Sequence, residues 1–318
     1  MSTVKDITTA YSETLVEIGL EDDRIVSLDA DLADSCKTEP FHEAFPERAI
    51  DLGVAEQSLP VVAAGLALAG LVPFYNTFAV FAVGRSFDMV RVSVAYAKAN
   101  VKIIGHGAGL SLGYAGPTHH AMSDLAMTRS LPNLVVLQPA DARECRQMVR
   151  WMKDYEGPVY LRLMRSSVPD IHSEGWRFKM GKTEQLREGS DVTLYTTGDL
   201  CVQGLRVAKT LQEQGISAQV INVSTLKPLP AEEILRHAAA TSAAVTLEDH
   251  NIYGGLGSLI SEAYAELVPG KPVARIGLRD TFTESDDLDV LRDHYGMSDD
   301  DVAVAVRRLL VPKEQANA

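Results

Sequence analysis

The chain has 318 residues, 46% of them hydrophobic and 23% charged, with a formal net charge of −13 at pH 7. Length and composition point to a globular protein of two domains, and the acidic balance argues against a phosphate-tracking surface, so nucleic acid is not an expected partner. Cys36, Cys145 and Cys201 are odd in number, far apart and without a CxxC pair, which argues against a disulfide framework or a cysteine zinc site and fits a reducing compartment.

The N-terminal stretch MSTVKDITTAYSETL lacks a basic region followed by an apolar run, so no secretory signal is expected. Strands are predicted at Arg24–Asp29, Ala49–Leu52, Val72–Asn76, Val101–Gly105, Leu134–Gln138 and Val159–Leu163. Helices are predicted between them at Thr9–Gly19, Glu56–Ala69, Arg85–Ala99, Ser123–Ser130 and Ala142–Asp154. The longest apolar run, Leu59 to Phe74, carries two prolines and reads as a buried helix plus turn. No uncharged run reaches the roughly 20 residues that span a bilayer, so the expected location is the cytoplasm. Ser166 to Ser190 is polar and reads as a linker with a short hairpin. Alternation then resumes, with strands at Val192–Thr196, Ala218–Val223, Ala244–Leu247 and Ala274–Gly277. Helices are expected at Leu200–Gln214, Ala231–Ala240 and Gly257–Glu266, and the tail from Val311 to Ala318 is expected to fray. Alternating apolar strands and helices predict an α/β fold of two doubly wound domains, the first mainly parallel and the second smaller.

Ligands in such sheets sit beyond the carboxyl ends of the strands. The loops there are Ala30–Lys37, Gly53–Gln57, Thr77–Phe81, His106–His120, Pro139–Ala142 and Met164–Ser167. Glu56, in IDLGVAEQS, reads on its own as an acid held by a helix dipole. The alternative is a buried carboxyl group suited to proton exchange with a ring nitrogen. Phe78 and Phe81 either pack in the core or stack on a flat heterocycle. The loop GHGAGLSLGYAGPTHH is rich in glycine and carries His106, His119 and His120. That density points to close backbone approach to a ligand or to several positive φ values. Arg162 and Arg165 end a strand, where they meet either an anionic ligand or an ion-pair partner at the domain boundary. Asp29 and Asp31 are acceptors on the same edge, or simply capping residues. GGLG after His250 reads as strand-to-helix packing, and no metal site is expected.

Taken in order, DLADS, GVAEQ, TFAVF, GPTHH, LPNLVVLQPAD, LEDHNIYGGLGS and FTESDD resemble the transketolase family over nearly the whole chain. The resemblance implies a pyrimidine-binding domain over 1–166, a linker over 167–190 and a transketolase C-terminal domain over 191–318. It makes Glu56 the glutamate that hydrogen-bonds the aminopyrimidine N1′ of thiamine diphosphate. Phe81, with Phe78 nearby, would stack on the pyrimidine, and Asp31 would lie near the cofactor. Ser35, His106, His119 and Arg165 would line the sugar channel, with His106 or His119 removing the substrate proton. The implied reaction moves a two-carbon ketol unit from a ketose to an aldehyde.

Three positions depart from the family pattern. Ala115 stands where an aspartate touches the substrate hydroxyl, Thr8 where an arginine contacts substrate phosphate, and Gly84 at a third aromatic position. Losing an acid and an arginine from the channel points to an unphosphorylated or modified sugar. A larger departure is an absence. The family's diphosphate-binding domain holds Mg²⁺ through GDG and a following asparagine, whereas Gly198-Asp199 is followed by Leu200 in the second domain. A separate subunit carrying that domain is therefore implied, most simply in an α2β2 assembly. Two other readings remain at this point. One is the β subunit of a 2-oxo acid dehydrogenase E1 component, although GPTHH is a sugar-channel motif. The other is a non-catalytic regulatory or scaffold subunit, which an intact Glu56, Phe78 and Phe81 argue against.

Overall fold

A computed structural model describes residues 4–229 and 231–310; the expected fraying of 311–318 lies outside the described residues. The strands are β1 (Val4–Asp6), β2 (Ile25–Asp29), β3 (Ala49–Asp51), β4 (Val72–Phe78), β5 (Lys102–His106), β6 (Val135–Leu137) and β7 (Val159–Arg162). They continue as β8 (Ser167–Pro169), β9 (Glu184–Arg187), β10 (Val192–Thr196), β11 (Ala218–Asn222), β12 (Thr225–Lys227), β13 (Ala243–Asn251) and β14 (Val273–Leu278). The first sheet runs β12-β6-β7-β5-β4-β2-β3 and the second β14-β13-β10-β11-β9. Among the described residues of these two sheets, only β12 and β9, each at a sheet edge, run antiparallel, and β1 and β8 form a separate antiparallel pair. Both expected doubly wound α/β units are therefore present.

Burial explains the pairing. β2, β5, β10 and β11 are buried at every residue, as strands covered on both faces must be. Successive residues serve opposite faces. Leu28, Tyr75, Ile103 and Val136 join one core, whereas Ile25, Phe74, Ile104 and Val135 join another. The second core is closed by helix Ile7–Glu21, through Tyr11, Leu15 and Ile18, against Cys145, Met148 and Met152 of helix Ala142–Asp154. A third core fills the second unit around Val192, Leu194, Val220 and Val245.

Several elements differ from the sequence reading. The predicted loop Thr77–Phe81 turns helical at Ala79, because burying Ala79, Ala82 and Val83 favours a helix over Ala79–Gly84. The predicted Arg85–Ala99 helix is a short turn, Phe87–Met89, followed by a π-helix over Val90–Tyr96. Glu56–Ser58 forms a 3₁₀ turn, and the α-helix starts at Leu59 with Pro60 in its first turn. Helices Ala33–Cys36, Glu39–Ala44, Leu288–His294 and Asp299–Leu310 were not expected. The polar stretch after Ser166 forms no hairpin: β8 pairs with β1 and β9 with β11.

That stretch is held by His172. Asp141 Oδ2 accepts from the backbone N–H groups of Ile171 and His172, and lies 2.7 Å from His172 Nδ1. Asp141 Oδ1 caps helix Ala142–Asp154 through Glu144 N–H at 2.7 Å. The loop Pro139–Ala142, counted from the sequence among the ligand loops, thus has its acid occupied structurally. His172 Nε2 sits 2.7 Å from Glu184 Oε2, a charge contact out of line for a hydrogen bond. Burial disfavours the imidazolium, but the hydrogen bond to Asp141 and the Glu184 carboxylate outweigh it and lift the pKa from 6.5 to about 10. A raised folded-state value means the folded state holds the proton more tightly than the unfolded state. Denaturant unfolding across pH should show this contribution complete below about pH 6.5 and lost as pH rises through about 10. His172→Gln should remove that alkaline slope.

Candidate active site

The carboxyl ends of β2, β4, β5 and β7, with the loops that follow them and β3, gather most of the candidate residues. Glu56 follows β3 in its 3₁₀ turn and is 4% exposed. Its Oε2 is buried without a hydrogen-bond partner. Arg85 Nε approaches to 3.1 Å but out of line, and donates instead to Gln57 Oε1 at 3.3 Å. Arg85 caps the helix that carries Phe81, so this contact ties the Glu56 turn to that helix. Its guanidinium is more than half exposed, where an ion pair contributes little.

Phe78 ends β4 and Phe81 lies one turn into the next helix. Both are half-buried, with ring centroids 6.3 Å apart. The His119 ring stands edge-on to both, at 5.9 Å from Phe78 and 5.4 Å from Phe81. These three rings form one half-exposed aromatic group.

His106 ends β5 and is 1% exposed. Burial, reinforced by the charge of Arg165, lowers its pKa to about 3, so the ring is neutral. Its Nε2 lies 3.2 Å from Asn76 Oδ1, and its Nδ1 has no hydrogen-bond partner among the described residues. Tyr11 hydroxyl donates to the same Asn76 oxygen at 2.6 Å. Arg165 donates to the Ser35 carbonyl at 3.1 Å, which brings the loops after β2 and β7 together. Ser111 hydroxyl accepts from the Arg165 backbone N–H at 3.0 Å. Asp31 is exposed in the left-handed region at φ 58°, its N–H bonded to Asp51 Oδ1 at 2.9 Å.

Other expected ligand groups are committed to the fold. Asp29 accepts from Thr38 at 2.9 Å and lies 2.8 Å from His42 Nε2. The glycine-rich loop does use positive φ, and while Gly107 is crowded by Leu112 of the loop itself, Gly109 and Gly116 are crowded by the second unit. A Cβ on Gly109 would meet Asp249 Oδ1 at 2.5 Å, and one on Gly116 would meet Ser285 Oγ at 2.4 Å. His120 bridges the same boundary, with Nδ1 2.7 Å from Thr283 Oγ1 and Nε2 2.9 Å from Gly113 O. Since the carbonyl only accepts, Nε2 carries the proton and Nδ1 accepts from the hydroxyl. The GGLG helix terminus holds a carboxylate already, with Gly257 N–H donating to Glu248 Oε1 at 2.8 Å.

Arg162 has no exposed surface. It pairs with Asp124 through Nε at 2.7 Å and Nη2 at 3.2 Å, and donates to the carbonyls of Ala121 at 3.0 Å and Asp249 at 2.9 Å. It is the ion-pair alternative, not a ligand site. Tyr11, Asn76, Arg85 and Ser111 were missed as site neighbours. Asn76 alone left a signal, as an amide in the otherwise apolar run VPFYN.

Among the described residues, no group of three or more His, Cys, Asp or Glu side chains could hold a metal ion. No described helix is long and apolar enough to cross a membrane. Residues 4–170 match the family model "Transketolase, pyrimidine binding domain", and residues 181–302 match "Transketolase, C-terminal domain". The chain is 41% identical to a 6-deoxy-6-sulfo-D-fructose transketolase subunit from a Clostridium strain, over 94% of this chain and 92% of that one. It is 39% identical to a putative transketolase C-terminal section from Methanocaldococcus jannaschii, over 94% of each. A solved split-gene transketolase, described as an inactive β4 tetramer, superposes with a TM-score of 0.89 at 44% identity, covering 96% of this chain and 98% of that one.

The Arg162–Asp124 pair gives a direct test of the frame. Asp124→Ala leaves a buried guanidinium uncompensated and should lower the unfolding free energy by about 3–5 kcal/mol in urea titrations.

Proposed function

Because this chain belongs to the transketolase family, we propose that it is the subunit of a two-chain transketolase that supplies the pyrimidine side of a thiamine diphosphate site. The reaction is transfer of a two-carbon ketol unit from a ketose to an aldehyde. The observation that carries this reading is Glu56: a carboxylate oxygen buried without a donor, tied by Arg85 to the helix that bears Phe81. An unpaired buried acceptor is costly, and a ring N–H or a shared proton would satisfy it. In this reading Glu56 bonds the aminopyrimidine N1′ and exchanges a proton there. Phe81 and Phe78 stack on the pyrimidine face, and Asp31 lies at its edge. When bound, the cofactor supplies the carbon nucleophile and the electron sink.

Substrate would be met by Ser35, His106, His119 and Arg165. His119, half-exposed beside the two phenylalanines, would take the proton of a sugar hydroxyl. Thr8 is 2% exposed, so that position presents no charge to a substrate phosphate. This supports an unphosphorylated or modified sugar. The similar Clostridium subunit is named for a sulfo-sugar.

Mg²⁺ and the cofactor diphosphate would be held by a partner chain, in an α2β2 assembly. The solved split-gene relative is described as inactive when its β chains assemble alone. By the same logic, this chain purified alone with thiamine diphosphate, Mg²⁺ and a ketose donor should show no turnover, and a partner bearing GDG and a downstream asparagine should restore it. Robust activity of the isolated chain would overturn the two-chain reading. In the reconstituted assembly Glu56→Gln should lower kcat by about 10²–10⁴-fold while the chain stays folded by circular dichroism. Unchanged kcat would remove Glu56 from the chemistry. A panel of free, sulfonated and phosphorylated sugars should show the phosphate esters as the poorest substrates by kcat/KM.

A further inference from the structure

We propose that the linker between the two units builds a second binding site, for a nucleotide: a phosphate that carries a flat ring. The site is a cleft of about 480 Å³ bounded by residues 175–179 and 182–184 and by Ser224. That volume is in the range of small-molecule sites. The cleft lies beyond the carboxyl end of β11, because Ser224 follows Asn222 by two residues and Asn222 pairs with Glu184. In an open α/β sheet that is the edge where ligands bind.

Charge selects the first half of the ligand. The chain carries a net charge of −13, yet WRFKMGK, residues 176–182, holds three cations and no acid. Of the three, only Lys182 pairs with a carboxylate among the described residues, Glu233 Oε1 at 3.0 Å, and it shares that acid with Arg236. Arg177 donates to backbone carbonyls instead, Trp176 O at 2.9 Å and Glu174 O at 3.4 Å. Glu184 is the acid on the wall, and it lies 2.7 Å from the His172 ring, which its neighbours keep protonated. Arg177 and Lys179 are exposed at the cleft and leave it two positive charges for an anion to match.

A tight turn places the cations. Lys182 N–H donates to Lys179 O at 3.1 Å, and Gly181 takes the left-handed position of the turn at φ 77°. Lys179 and Lys182 therefore stand at the two ends of one β-turn, with Cα atoms within about 7 Å. Gly181 N–H is fixed by Thr225 Oγ1 at 3.1 Å, and Thr183 by Glu233 Oε2 through N at 3.2 Å and Oγ1 at 2.9 Å. Two amines held so close suit a group with several charged oxygens, and Arg177 adds a planar donor fork.

The aromatic residues select the second half. Trp176 and Phe178 line the same cleft and are half-buried. Each is braced by another ring, Trp176 by His172 with centroids 4.0 Å apart and Phe178 by Trp151 edge-on at 5.7 Å. Braced rings beside cations fit a base that stacks while its phosphate meets the N–H donors. A sugar phosphate would leave the aromatic wall unused, and a nucleoside would leave the cations unused.

Binding is tested on the full chain. Trp151 and Trp176 are its two tryptophans, so occupancy of the cleft is read from fluorescence. Among the ribonucleoside monophosphates AMP, GMP, CMP and UMP, the tightest should quench emission saturably with a Kd below about 1 mM at about 0.1 M salt. Trp176→Phe should remove that quenching. By calorimetry, Arg177→Ala and Lys179→Ala should each weaken the same nucleotide about tenfold, the loss of one charge-assisted hydrogen bond. Ribose 5-phosphate and the matching nucleoside should each bind at least about tenfold more weakly than the nucleotide. Arg177 and Lys179 are exposed, so their variants keep the fold, which circular dichroism checks. No saturable binding of any of the nucleotides would overturn the proposal. So would ribose 5-phosphate or the nucleoside binding as tightly, or an affinity that neither alanine variant moves. Binding is measured without turnover, so these outcomes are separate from the ketol transfer proposed above.

Discussion

A guanidinium with no exposed surface is the constraint on which the rest of this molecule depends. Arg162 ends β7 in the first sheet, and its charge is matched by Asp124 at the start of helix Asp124–Ser130. Its Nη2 also reaches Ala121 O, where the glycine-rich loop ends, and Asp249 O in β13 of the second sheet, while Nη1 faces Gln138 Oε1 and Met164 Sδ. One side chain thus joins two sheets and anchors the loop between His106 and His120. Desolvating such a charge is expensive and is offset only when every donor finds an acceptor. That requirement fixes the distance between the two units at this point. Asp249 repeats the link in the opposite direction, accepting from Leu110 N–H at 2.9 Å and from Arg292 at 2.7 Å.

Held in this way, the upper edge of the first sheet separates groups that serve the fold from groups that remain available. Asp29, His120 and Asp141 have their polar atoms taken by neighbours in the chain. Glu56 Oε2 and His106 Nδ1 find no hydrogen-bond partner among the described residues, although both are buried and Arg85 lies in charge contact with the former. Native proteins leave few such atoms unpaired, and each one calls for an explanation. Here they lie after β3 and at the end of β5, on the edge where open α/β sheets bind ligands. The half-exposed rings of Phe78, Phe81 and His119 provide an apolar surface on the same edge.

Much of this was legible in the sequence because periodicity and turn chemistry are local. The runs IVSLD, KIIGH and VTLYT are apolar throughout and became fully buried parallel strands. GVAEQ follows β3, TFAVF spans the end of β4 and the helix after it, and GPTHH lies in the long loop after β5. Of the two readings of the glycines in the loop after β5, positive φ is present, and at Gly109 and Gly116 the second unit approaches closely. Asp249 and Ser285 lie more than a hundred residues away, and no local pattern announces a contact at that range. The polar linker was misread for the same reason: a hairpin is the local solution, whereas β8 and β9 pair with distant strands.

By itself the sequence determined the two α/β units, the family and the identity of the residues with unusual chemistry, because apolar period and residue type are properties of short segments. Only the tertiary structure decided which of those residues are free to act. Arg162 and Glu56 both stood at strand ends with two readings each. Arg162 is consumed by Asp124, and Glu56 keeps an oxygen that no described residue hydrogen-bonds, with Arg85 in charge contact. Hydrogen-bond satisfaction depends on groups brought together from distant parts of the chain, so whether a buried polar atom is paired cannot be read from its own segment.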